Sequence, residues 1–316
     1  MPAMTILVTG GNGFIGTRVV DKLVARGEQV VRFDLTPNRS AHKNVLDCPG
    51  DITQITDLTE AVKGHGVHRI VHLAALLPPE TEERPLHGLL VNVQGTANVF
   101  EVARLSGIER VVYASSIACY GDQSNFGDRV VTEDDASLPF NMYGQTKAAT
   151  DFTAAHYRTR WGLDLRSIRI CTVFGHGRST GLTGLIGGDL ISRPSVGLPV
   201  EVPVDPNEAS AMIYVDDAAE IFVRAVLSSH LNNPIYNTGG HLSTVGEMAS
   251  IVADLVPDAK ITLGTARVPH VYLVDDSRML ADIRYTLPPL RQRVLDHVNT
   301  ARAEAGLDPV QDPASN

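Results

Sequence analysis

The stretch Met4-Thr5-Ile6-Leu7-Val8-Thr9-Gly10-Gly11-Asn12-Gly13-Phe14-Ile15-Gly16 carries two structural signals in immediate succession. Met4 to Thr9 is a short apolar run closed by glycines, the pattern of a buried strand. From Phe14 to Arg26 apolar residues recur at helical spacing, and the pattern stops at Gly27. Between strand and helix, Gly10, Gly13 and Gly16 satisfy G-x-x-G-x-x-G, and Gly11, Gly13 and Gly16 satisfy G-x-G-x-x-G. Glycines there permit a tight turn and let the backbone approach a pyrophosphate. The helix N terminus adds unpaired N–H groups and a partial positive charge. Gln29–Asp34 reads as a second strand, ended by Asp34 roughly 20 residues past the last glycine. A carboxylate there accepts from both adenosine-ribose hydroxyls and repels a 2′-phosphate, so it selects NAD over NADP. Arg32 and Arg39 stand nearby as the contrary signal.

Similar units follow. Strand-like runs lie at 44–48, 69–73, 110–114 and 163–170, and helical patterns at 55–63, 86–106 and 142–161. Nearly continuous apolar strands alternating with helices predict a parallel sheet covered on both faces. With right-handed crossovers the result is α/β, a Rossmann-type doubly wound sheet. Past residue 172 the rhythm changes: residues 175–200 are rich in Gly, Ser, Thr and Pro. Helices are expected at 217–227, at 245–255 behind a Thr244-x-x-Glu247 capping box, and at 290–305. The expected division is a dinucleotide-binding domain over 1–172 and a smaller irregular substrate lobe over 173–307. Some segments of the lobe return to the core, and a frayed tail covers 308–316.

Composition narrows the class. The chain has 316 residues, 43% hydrophobic and 20% charged, with a net charge of −9. That is ordinary globular usage, and the acidic balance argues against nucleic-acid or anionic-membrane partners. Cys48, Cys119 and Cys171 form no CxxC pair. Neither a disulfide nor a zinc framework is expected, no metal is called for, and a reducing cytoplasm is the natural setting. The N terminus shows no signal-peptide pattern and the chain no membrane-spanning apolar run.

Chemistry is expected from three residues. Tyr143 and Lys147 are one helical turn apart, on one face. A phenol titrates near about 10, so it works as a base at neutral pH only if its anion is stabilised. A neighbouring ammonium and a positive nicotinamide ring would lower that value. Ser116 follows the 110–114 strand at the carboxyl edge, where open α/β sheets bind ligands, and its hydroxyl can hold a substrate oxygen. His72 reads as a packed strand residue, and Cys119 and Cys171 as core fillers.

Gly10-x-x-Gly13-Phe14-Ile15-Gly16, Asp51-Ile52, His72-Leu73-Ala74-Ala75, Asn92-Val93-Gln94-Gly95-Thr96, Ser115-Ser116-Ile117-Ala118-Cys119-Tyr120-Gly121 and Tyr143-Gly144-Gln145-Thr146-Lys147 occur in this order. The chain thereby resembles the extended short-chain dehydrogenases, the sugar-nucleotide epimerase/dehydratase group. The resemblance implies that Phe14, Ile15, Asp51, Ile52, Leu73, Ala74, Ala75, Asn92, Ser115, Ile170 and Val173 join the glycines, Asp34, Tyr143 and Lys147 around NAD, with Asn92 kinking or bracing the following helix near the site. It implies a substrate site at Leu76, Ser116, Thr172 and Arg178, and a homodimer built from the helices at about 86–106 and 142–161.

Departures narrow the chemistry. Dehydratases of this group look like Thr-Asp-Glu-x-Tyr-Gly where this chain has Ile117 and Ala118, so the acid and base for water elimination are absent. Thr172 stands where nucleotide-sugar epimerases usually have asparagine, and Ala209–Tyr214 lacks their arginine and acid. The second half is similar to short-chain-type L-threonine 3-dehydrogenases through 162–169, 212–218, Tyr236-Asn237 and 274–277, with His270 at their tryptophan position. The expectation is an NAD-dependent oxidoreductase acting on a small polar secondary alcohol: a hydroxy acid, a threonine-like compound or a sugar acid. Arg178 points to an acidic substrate, with a solvated loop arginine as the plainer alternative. A nucleotide-sugar 4-epimerase retaining its NAD is the other enzyme reading, and a catalytically silent sensor a third class.

Overall fold

The computed structural model describes residues 4–38, 42–179 and 181–315. In chain order its strands are β1 (Thr5–Thr9), β2 (Gln29–Asp34), β3 (Val45–Pro49), β4 (Arg69–His72), β5 (Arg110–Ser116), β6 (Leu165–Ile170), β7 (Thr172–Phe174), β8 (Val200–Val204), β9 (Ala209–Tyr214), β10 (Ile235–Asn237), β11 (His241–Thr244) and β12 (Ile261–Ala266). Seven of them form one sheet in the order β10-β6-β5-β4-β1-β2-β3, every neighbouring pair parallel. The continuous apolar runs are explained by burial on both faces. Ile6, Leu7 and Val8 are all fully buried. Ile6 and Val8 join the core on one face, and Leu7 the core on the other, as strand alternation requires. Strand order reverses between β1 and β4, which opens a crevice at their carboxyl ends.

The sequence patterns and the structure differ at informative places. The helix expected over 86–106 is continuous but not uniform: Pro85–Gly88 is α-helical, Leu89–Gly95 forms a π-helical turn and Thr96–Ser106 is α-helical. The wide turn holds Asn92, and π turns recur at functional sites. A short helix at Glu80–Glu83 precedes it. Beyond residue 172, β7, β9 and β11 form a small second sheet and β8 pairs with β12. These strands are short and flanked by Gly and Pro, so periodicity does not reveal them.

Two returning segments close the main sheet. β10 adds to its edge beside β6. The Val215–Leu227 helix packs on the Phe14–Ala25 helix and across β4 and β5. Its C-terminal carbonyls are met by Arg110, which donates to Ala225 O at 3.1 Å, and by Arg69, which donates to Val226 O at 2.7 Å. The segment expected to fray is instead held, as far as Asp312. Asn299 exchanges hydrogen bonds with the Val310 backbone at 3.0 and 2.8 Å, and Arg291 grips Asp312 at 2.9 Å.

Candidate active site

The glycine turn lies directly against the end of β4. Gly10 has φ +66°, and a Cβ there would come within 2.7 Å of Ala74 N. A Cβ on Gly16 would come within 2.0 Å of Gly10 O, so strand end and helix start touch backbone to backbone. No side chain caps the Phe14–Ala25 helix and no acidic residue stands in its first turn. Its leading N–H groups therefore remain for an anion in the crevice.

Asp34 stands at the rim of this cradle. Its Oδ2 accepts from Asn12 N at 2.9 Å and its Oδ1 from Leu35 N at 2.8 Å. Arg32, the contrary signal for a 2′-phosphate, is committed elsewhere: it ion-pairs with Asp47 at 2.6 Å and donates to Asn38 O. Arg39 lies outside the described residues. A free helix terminus, a backbone-wide cradle and a carboxylate at the end of β2 are groups that fit a dinucleotide.

Asp51 and Ile52 occupy the turn after β3. Asp51 accepts from Thr53 N, and Ile52 is buried against Gly95. Asn92 sits in the π-helical turn, where a kink or brace near the site is expected. It is buried, and its amide is spent on protein partners: Oδ1 accepts from Leu76 N at 2.7 Å, and Nδ2 donates to Leu76 O at 2.9 Å and Thr146 Oγ1 at 3.1 Å. It braces the chain after β4 against the Tyr143 helix, and Leu76 is what it holds.

His72 is packed inside the sheet. Its ring nitrogens meet Thr9 Oγ1 at 2.6 Å and Thr96 Oγ1 at 2.9 Å. Burial, helped by the charge of Lys147, pushes it down to about 3, so it stays neutral. Burial likewise pushes the Cys119 and Cys171 thiols up to about 12, which suits fillers rather than nucleophiles.

The three expected catalytic groups converge in one cleft of about 750 Å³. It runs from Gly10, Gly13, Phe14, Ile15 and Gly16 past Leu73, Ala75, Ser115, Ser116, Tyr143 and Lys147 to Ile170, Thr172, Val173 and Arg178. Asn141 caps the Met142–Trp161 helix by accepting from Gly144 N at 2.8 Å, which fixes the turn that carries Tyr143. Ser116 lines the cleft with the Tyr143 phenol, and its Oγ accepts from Ala118 N at 3.1 Å. The Lys147 ammonium lies 5.6 Å from the Tyr143 ring centroid and donates to Ala114 O at 2.8 Å. Burial pulls Lys147 down to about 8, and Asp151, one turn on, pushes it back up.

Burial raises the phenol of Tyr143, and the Ser116 hydroxyl and then the charge of Arg178 oppose that rise. Arg178 is thus a second cation near the phenol, beside Lys147, whose Nζ donates to the Ala114 carbonyl. Arg178 is not a solvated loop residue: it faces the cleft with its Nε buried and unpartnered.

Several participants have no counterpart among the expected residues. Glu82, on the Glu80–Glu83 turn, lines the cleft and accepts from Met142 N and Tyr143 N, each at 3.1 Å. No local pattern marks it. Asp151 accepts from Tyr113, Ser115, Ser167 and Arg169, all buried, so Ser115 faces a structural carboxylate. Its helical spacing from Lys147 is a readable signal. Thr172 and Ser210, which replace polar groups typical of nucleotide-sugar enzymes, bond to each other at 2.9 Å.

Comparison with known proteins agrees with this geometry. The NAD dependent epimerase/dehydratase family model matches residues 6–239. The chain belongs to that family and is an enzyme of the extended short-chain dehydrogenase class, whose cofactor is NAD. It is 30% identical to the UDP-glucose 4-epimerase of Mycolicibacterium smegmatis, over 70% of this chain and 73% of that protein. The solved UDP-glucose 4-epimerase of Thermus thermophilus, in complex with NAD, superposes with TM-score 0.84 at 26% identity, over 95% of this chain and 99% of that one. The holo L-threonine dehydrogenase of Cupriavidus necator superposes with TM-score 0.83 at 25% identity, over 93% and 99%. The chain spans 59% and 49% of the length of two further curated relatives. No helix among the described residues is long and apolar enough to cross a membrane.

Proposed function

We propose that the chain is an NAD-dependent dehydrogenase of a small polar secondary alcohol: a hydroxy acid, a threonine-like compound or a sugar acid. The observation that carries the reading is the convergence of Ser116, Tyr143 and Lys147 in one cleft at the carboxyl edge of the sheet, beside the glycine turn. NAD, when bound, supplies the two-electron acceptor. Tyr143 takes the hydroxyl proton, Ser116 holds the alcohol oxygen, and Lys147 presents its ammonium to the ribose side of the site. Gly10, Gly13, Phe14, Ile15 and Gly16 seat the pyrophosphate, Asp34 the adenosine ribose, and Leu73 to Ala75, Ile170 and Val173 the nicotinamide end. Asp51 and Ile52 flank the adenine.

Ile117 and Ala118 leave no acid or base for dehydration. The internal Thr172–Ser210 bond supports a small substrate, because both groups satisfy each other instead of reaching a nucleotide. The second reading is a nucleotide-sugar 4-epimerase. It is favoured by the epimerases among the relatives and by the cleft continuing to Arg267 and His270. Net NADH formation from NAD and a panel of hydroxy acids, threonine and sugar acids distinguishes the two. Interconversion of a UDP-sugar without NADH release would establish the epimerase.

The assembly is a homodimer in this reading. Leu86, Leu90 and Phe152 are exposed on the two helices that pair across the two-fold axis. A monomer by light scattering removes it. The boundary at residue 172 and a cytoplasmic setting, which suits three free cysteines, belong to the same reading.

A further inference from the structure

We infer that Arg178 is a built anion site whose guanidinium receives a carboxylate of the substrate, so that the alcohol oxidised beside Tyr143 is a hydroxy acid. This rests on the dehydrogenase reading and narrows it. The side chain is delivered by backbone packing. A Cβ on Gly188 would come within 1.9 Å of Arg178 O, and one on Gly184 within 2.7 Å of the Ser179 carbonyl carbon. The π-helical turn Leu185–Asp189 therefore sits directly beneath the Arg178 turn. The neighbouring His176 fastens that turn through Ser192 at 3.0 Å and Glu304 at 2.5 Å.

The guanidinium is then fixed on two sides. It stands 5.9 Å from the Phe14 ring centroid, and Nη2 donates to Thr183 Oγ1 at 3.0 Å. What it lacks is a counter-ion. Among the described residues no carboxylate pairs with Arg178, and its Nε is buried without an acceptor, although the chain as a whole is acidic. A buried donor left unpaired is costly, and a planar fork of donors matches a carboxylate. Arg178 and Tyr143 line the same cleft, so an anion on the guanidinium shares that cleft with the alcohol being oxidised.

Phosphate shares this fork chemistry, and the test separates the sources. The NAD-loaded chain is titrated with acetate by calorimetry. It is also assayed for NADH with 2- and 3-hydroxy acids, each paired with its primary amide and with a phosphate monoester of the same alcohol. The expected result is acetate binding that weakens at least about tenfold in Arg178→Gln and partly survives in Arg178→Lys. Acids should exceed amides and phosphate esters in kcat/KM, an advantage lost in Arg178→Gln. Unchanged NAD affinity and melting temperature show that the variants fold. Equal acetate binding by Arg178→Gln, equal turnover of acids and amides, or preference for the phosphate ester each overturns the carboxylate site while leaving a dehydrogenase. Turnover of a UDP-sugar with no NADH from any alcohol overturns both.

Discussion

Two glycine-rich turns face each other across the cleft and use the same residue for opposite ends. In the turn from Gly10 to Gly16, missing side chains bring backbone to backbone so that a helix terminus stays open to a ligand. In the segment from Gly175 to Gly188, missing side chains let a π-helical turn press on the chain above it, and what reaches the cleft is a side chain, Arg178. The first turn offers N–H groups and the second a guanidinium. Glycine spacing alone does not say which, because the outcome depends on what the backbone packs against.

The largest expected effect lies between the two turns. Tyr143→Phe removes the proton acceptor and should lower kcat by about 10²–10⁴-fold, with NAD affinity held by the first turn unchanged. Fluorescence titration of NADH and steady-state rates check both halves. Next comes a crossed pair. Gly16→Ala pushes a methyl into Gly10 O, and Gly188→Ala pushes one into Arg178 O. At about 1–3 kcal/mol of overpacking each, the first should weaken NAD binding by about tenfold or more, and the second should raise KM for the alcohol by a similar factor. If both variants lose the same function, the division of labour between the turns is wrong.

Asp34→Asn is expected to reduce the preference for NAD over NADP by about tenfold, read from the two kcat/KM values. A subtler effect is on pH dependence. Arg178 opposes the burial that raises the Tyr143 phenol. In Arg178→Gln the phenol loses that help, its pKa rises, and less phenolate exists at a given pH. The acidic limb of the oxidation profile should therefore move to higher pH, whereas a purely steric role for Arg178 leaves the limb in place.

The first turn is legible in the sequence because its signals are contiguous: an apolar strand, glycines, a helix and an acid follow one another, and each acts on neighbours in the chain. Tyr143, Lys147 and Ser116 are legible for the same reason, through helical spacing and the end of β5. The second turn is only half legible. Arg178 is visible as a residue, but its burial depends on Gly188 passing beneath it and on Phe14 from the first helix standing beside it. Glu82 is the extreme case, since its partners Met142 and Tyr143 lie far along the chain. Asn92 is legible only through the family pattern, since the Leu76 and Thr146 groups that it braces lie 16 and 54 residues away in the chain.

The same carboxylate of Glu82 that lines the cleft also accepts from the two leading amides of the Tyr143 helix. A helix leaves its first amides without partners of its own, so this carboxylate from a distant turn completes the start of the helix that carries the base.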